Sequence, residues 1–225
     1  TERTSKLSGG KSINRIYGNL SGLKSGQIRR IQQLYRRKTP TDRVLTLELA
    51  RHLCEISREI NRQVGVLISR KGDIHFVVVG DHRQIMIPSL DEFRSGESRL
   101  KGLRLVHTHL NGEPLTRDDL TDLALLRLDF ISAVTVEEDG QPGRTHSAHL
   151  IPENPDGRYW LQTEPLHPAR MDLDFAGFIQ DLEDQITRRQ RTRKVASRER
   201  AILIRVETDP RSCQGTLGEL KELAE

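Results

Sequence analysis

Apolar positions recur at helical spacing through the first part of the chain and then change to a strand pattern. Between 21 and 38 (SGLKSGQIRRIQQLYRRK), Ile28, Ile31, Leu34 and Tyr35 fall on one helical face, surrounded by Arg29, Arg30, Arg36, Arg37 and Lys38, and Pro40 ends the segment. A second helix over about 46–62 carries Leu49, Leu53, Ile56 and Ile60 as its stripe. β-branched runs follow: VGVLIS (64–69) and DIHFVVVG (73–80) are joined by the turn RKG, the signal of a hairpin. Further strands are predicted at IMIP (85–88), RLVHTHL (104–110), FISAVTVEE (130–138) and HSAHLIP (146–152), with a helix from Thr116 to Asp129. A last helix over about 173–190 carries Leu173, Phe175, Phe178, Ile179, Leu182 and Ile186. This order predicts an α+β (mixed α/β) domain over about 15–168, after a polar leader at 1–14. A helix and basic linker follow at 169–197, and a strand-helix unit at 198–225.

Composition narrows the class without naming a function. The 225 residues are 35% hydrophobic and 30% charged, which suits a globular protein, and no apolar run approaches the ~18 residues of a membrane span. With no secretory pattern at the start, a cytoplasmic location is expected, and Cys54 and Cys213 read as reduced thiols. The net charge of +4 acquires meaning from its placement. Arg188, Arg189, Arg191, Arg193, Lys194, Arg198 and Arg200 are packed into the linker, and Arg29, Arg30, Arg36, Arg37 and Lys38 lie on the first helix. Both clusters are candidates for neutralising RNA phosphates, although the linker run could equally be a solvated face. Only 4% of residues are aromatic, so recognition by shape and charge is favoured over base stacking. GGKS at 9–12 lacks the first glycine and preceding strand of a phosphate loop.

The stretch RLVHTHLNGEPLTRDDLTD (104–122) carries the chain's most specific chemistry. Side chains two apart on a strand share a face, so His107 and His109 point the same way. Thr116 is placed as a helix N-cap, with Asp119 three residues on to close the cap, and that carboxylate faces back toward the strand's end. Two imidazoles and one carboxylate leave an open fourth position on zinc, where a water can be activated. Three readings stay open: a zinc hydrolase, a vestigial metal site, or a capped helix with partly buried histidines. His146 and His149, three apart, make a poor ligand pair on a strand, and Tyr159 and Trp160 are expected to cover a sheet edge.

His-x-His followed by Thr-x-x-Asp resembles the JAMM (MPN) metal motif, which implies an MPN-like sheet flanked by helices and an upstream Glu as general base. The match departs from the family in its six-residue spacer, in Thr116, in Leu110, and most of all in Arg62, which stands at the base's place before Gly65. An arginine cannot accept a proton from bound water. Glu59 is the nearest acid in sequence that could replace it. Zinc retention and hydrolysis are therefore not expected.

A second resemblance covers more of the chain. IYGNLSGLKSGQIRRIQQLYRRK, INRQVGVLISRKG and LRLVHTHLNGEPLTRDDLTDLALLRLD look like the amino-terminal extension of some HflX-family ribosome-associated GTPases. RERAILIRVE and TLGELKELAE are similar to the opening strand and helix of those proteins' shared amino-terminal domain, cut short at 225. The resemblance implies a ribosome partner, through large-subunit RNA, and GTP with Mg for the full-length parent. No G-x-x-x-x-G-K-[ST] occurs here, so this chain is expected to hold no cofactor of its own and to catalyse nothing.

Overall fold

The computed structural model describes residues 14–93, 99–152 and 159–196, with side chains as far as 189. It divides into two units, 1–189 and 190–225, and the description below concerns the first. Of the second, only the backbone of a helix end lies among the described residues. The strand-helix unit at 198–225 lies outside them, as do the leader at 1–13, Arg198 and Arg200.

The fold is mixed α+β. Seven strands, β1 (Ile16–Gly18), β2 (Val64–Ser69), β3 (Ile74–Val79), β4 (Leu103–His109), β5 (Phe130–Val136), β6 (Pro142–Leu150) and β7 (Trp160–Gln162), form one sheet in the order β1-β3-β2-β4-β5-β6-β7. β1 runs parallel to β3 and β4 parallel to β5; the other neighbours are antiparallel. The β2–β3 hairpin turns at Gly72, whose φ of 87° a side chain rarely adopts, and an added Cβ there would lie 1.8 Å from the Thr39 carbonyl oxygen.

The helices are α1 (Ser25–Gln32), α2 (Leu47–Ile60), α3 (Arg117–Leu125) and α4 (Phe175–Ala196). α2 is closed at both ends, by Thr46, whose hydroxyl accepts from the Leu49 N–H, and by Asn61 in the left-handed conformation. It packs on the face of β4 that carries Thr108: the Thr108 hydroxyl meets Ser57 Oγ at 2.8 Å and accepts from the Val64 N–H at 2.9 Å. Arg104, on the same face by the two-residue repeat, is 1% exposed and donates to the carbonyls of Val44 and Ser69. Its guanidinium lies 4.5 Å from the ring centre of Phe175, at the start of α4. α4 is tied down further by Arg70, which bridges the fully buried Asp129 (2.5 Å) and Glu183 (2.8 Å).

Several elements differ from the sequence pattern. Residues 85–88 form no strand, because β1 pairs with the edge of β3 that they would have needed. Ile85 instead packs inward while Met86 is 75% exposed. The first helix ends at Gln32, and a 3₁₀ turn over Gln33–Arg36 replaces its continuation to 38. β1 and β7 are too short to show periodicity. The basic stretch read as a linker is helical to Ala196, so Arg188, Arg189, Arg191, Arg193 and Lys194 lie on α4. Among the described residues, no helix is long and apolar enough to cross a membrane.

Candidate metal centre

β4 and α3 build the centre between them. β4 is buried along its whole length, and its register places His107 opposite Gly65 of β2. A Cβ on Gly65 would come 3.1 Å from the His107 Cβ and 2.4 Å from Ile85 Cδ1, so the glycine makes room for the imidazole. After β4 the chain turns through Gly112 and enters α3 at Thr116. There the Thr116 hydroxyl accepts from the Asp119 N–H at 3.2 Å, while Asp119 Oδ2 accepts from the Thr116 N–H and hydroxyl, both at 2.7 Å. The cap thereby aims the other carboxylate oxygen at the histidines.

The predicted ligands do converge. His107 Nε2 lies 3.0 Å from His109 Nε2 and 3.1 Å from Asp119 Oδ1, and His109 Nε2 lies 3.5 Å from Asp119 Oδ2. All three residues are buried. Bonds of ~2.1 Å from a tetrahedral zinc imply ligand separations of ~3.4 Å, and one ligand atom from each of the three residues lies within 4.8 Å of the others, so modest side-chain adjustment would let them accept a metal.

Proton positions reinforce the fit at one histidine and weaken it at the other. His109 Nδ1 lies 3.0 Å from the Glu113 carbonyl, which can only accept, so Nδ1 carries the proton and Nε2 presents a lone pair. That lone pair faces His107 Nε2 at 3.0 Å, the donor available to it, and Asp119 Oδ2 at 3.5 Å. Burial, aided by neighbouring His107, holds His109 below the ordinary histidine range and keeps it neutral. Burial opposes the charge of Asp119, but hydrogen bonds from His107 and Thr116 outweigh it and hold the carboxyl below the ordinary range. His107 differs, since its buried Nδ1 has no hydrogen-bond partner. A ligating imidazole normally donates its other nitrogen to an acceptor, and the lack of one here leaves the ring without that orienting contact.

Neither Arg62, at the base's place in the motif, nor Glu59, the candidate to replace it, is directed to the centre. The Arg62 guanidinium donates to the carbonyls of Asn19 and Ser21, both at 2.7 Å. Glu59 sits on α2, across the sheet, bound to Arg30 at 2.6 Å. Two other residues escaped the sequence reading. Asp122 lies one turn after Asp119 on the same face of α3, and burial, together with the charges of Asp119 and Asp118, pushes its carboxyl upward. Gln63 is 1% exposed with an unpartnered Nε2, and two residues before Gly65 it shares that glycine's face of the strand.

The RNA candidates are scattered. Arg30 is paired with Glu55 and Glu59, Arg37 with Glu48, and Lys38 with Asp73, while Arg29 and Arg36 are exposed. Arg188 and Arg189 are exposed on α4, and the side chains of Arg191, Arg193 and Lys194 lie outside the described residues. His149 is buried against Phe130 and Phe178, apart from His146, and Trp160 belongs to edge strand β7.

No family model matches the chain, and no curated protein matches it. A solution structure of a protein from Salinibacter ruber is similar at 18% identity and a TM-score of 0.27, covering 56% of this chain and 92% of that one. At that TM-score the likeness carries no argument.

Proposed function

We propose that the chain is the amino-terminal, non-catalytic portion of an HflX-type GTPase, a cytoplasmic ribosome-associating module built on an MPN-like domain. Its partner is the ribosome, through large-subunit RNA, and GTP with its Mg ion belongs to a G domain whose motifs do not occur in these residues. Support comes from the segment at 103–129, where the resemblance is most specific. That segment is a strand and its following capped helix, leading into β5, at the middle of the sheet. The observation that carries the non-catalytic reading is the disposition of Arg62 and Glu59, both held by partners away from the histidines. Co-sedimentation with purified ribosomes tests the proposal. Salt-sensitive binding is the expected result, with no GTP affinity tighter than micromolar by calorimetry, and a chain that stays in the supernatant at low salt would sink it.

Asp122 favours a second reading, a metal-dependent hydrolase of the JAMM class. His107, His109 and Asp119 would hold the ion, which would supply an activated water, and Asp122 is the nearby carboxyl available to hold a proton. Stoichiometric zinc together with isopeptidase activity that is lost in Asp122→Asn would establish it. Zinc without activity leaves the centre structural.

A further inference from the structure

The change from helix to 3₁₀ turn at Gln33 has a consequence for charge. A helix running on to 38 would spread Arg36, Arg37 and Lys38 around its circumference. Instead the turn ends at Arg36, Arg37 is extended (φ −87°, ψ 150°), and Lys38 pairs with Asp73 beside the β2–β3 hairpin. All three cations consequently line one recess of about 370 Å³, closed on its other side by Thr46, Glu48 and Leu49 at the start of α2. That volume lies in the range of small-ligand sites.

We propose that this recess binds phosphate groups, and specifically those of an RNA backbone. Arg37 is held in place: one guanidinium nitrogen bonds Glu48, and the other lies 2.6 Å from His52 Nε2. His52 is oriented in turn by its Nδ1, 2.8 Å from the Glu48 carbonyl. Both terminal nitrogens of Arg37 are engaged in this way, so Arg37 contributes a positioned charge to the recess, and a phosphate would have to exchange for Glu48 to reach its guanidinium edge. Arg36 is exposed, and no described group pairs with it. The competing acids are weak competitors, because the Glu48 and Asp73 side chains are 71% and 51% exposed, and solvent screens such pairs so that a phosphate can exchange for them. The first turn of α2 adds its positive dipole end on the same side. No aromatic side chain lines the recess, so it reads charge and shape without stacking a base.

The inference deepens the proposed ribosome association by naming the surface and the chemical group, and its test separates the two. Ribosome affinity of the full chain is measured across salt concentrations for the wild type and for Arg36→Ser/Lys38→Ser. Arg117→Ser, on α3, serves as a control for charge loss, and circular dichroism checks folding. The double variant should flatten the slope of log affinity against log salt by about 1.8, the value for two lost phosphate contacts, and the control should leave it unchanged. Wild-type binding with no change of slope in the double variant overturns the recess and spares the ribosome reading. If the wild type ignores ribosomes, that reading fails, and the recess then stands or falls on whether a short RNA duplex binds the wild type and not the double variant. Inorganic pyrophosphate binding as tightly as RNA would overturn the assignment to a backbone.

Discussion

The two faces of β4 are equally buried and use their polar groups in opposite ways. On one face Thr108 is completely partnered, by Ser57 and by the Val64 backbone, and Arg104 is held by two carbonyls and an aromatic ring, with its Nη2 alone left without a hydrogen-bond partner. On the other, His107 keeps an orphaned Nδ1 while its Nε2 meets His109 and Asp119, and nearby Gln63 has a free buried amide nitrogen. Buried polar atoms that are fully satisfied hold structure together, whereas unsatisfied ones mark where a ligand would lower the free energy. The α2 side is thus a fastener and the α3 side a receptor.

The contrast breaks most readily at Thr108. Thr108→Val would strand the Val64 N–H in the core, while Ser57 keeps the Arg62 carbonyl, and a loss of about 1–3 kcal/mol is expected in urea unfolding. A loss of less than ~0.5 kcal/mol would mean that the fastener face is not one. Zinc tests the receptor face next. At a hundredfold excess over its dissociation constant it should stabilise the chain by about 2.7 kcal/mol, an effect absent in His109→Ala. Equal thermal midpoints with and without zinc would remove the metal assignment.

Thr116→Ala should cost about 1 kcal/mol as a lost helix cap and should also loosen Asp119. The Asp119 carboxyl lies below its unfolded value of ~3.9, so its stabilisation is complete at neutral pH and fades as pH falls below ~4 toward the folded value. Asp119→Asn should flatten that acid limb of the stability profile, and an unaltered limb would show that the histidine contacts contribute nothing. The smallest effect is expected at Gln63. Gln63→Met removes an unsatisfied donor and should be neutral or stabilising by up to ~1 kcal/mol without metal, opposite in sign to Thr108→Val. A clear destabilisation would reveal a partner for the amide.

Local rules made the centre legible. Strand alternation put His107 and His109 on one face, and the spacing from Thr116 to Asp119 is the signature of a cap, so both follow from neighbours in the chain. The hairpin at Gly72, the stripe of α2 and the α+β order were legible for the same reason. Residues 85–88 read as a strand because their apolar run satisfies the local pattern, yet pairing is a property of the neighbour, and β1 had taken that edge of β3. Arg62 likewise sat at the right distance from Gly65 in sequence, but its guanidinium is directed by the carbonyls of Asn19 and Ser21, far earlier in the chain.

The sequence by itself determined the second helix, the central strands, the shared face of His107 and His109 and the cap at Thr116, because each depends on contacts within a few residues. Only the tertiary structure decided that His107, His109 and Asp119 meet in contacts of 3.0 to 3.5 Å, that Glu59 lies across the sheet, and that Arg36, Arg37 and Lys38 line one recess. Those outcomes depend on strand register and on where a helix gives way to a 3₁₀ turn, which are set by packing between segments distant in the chain.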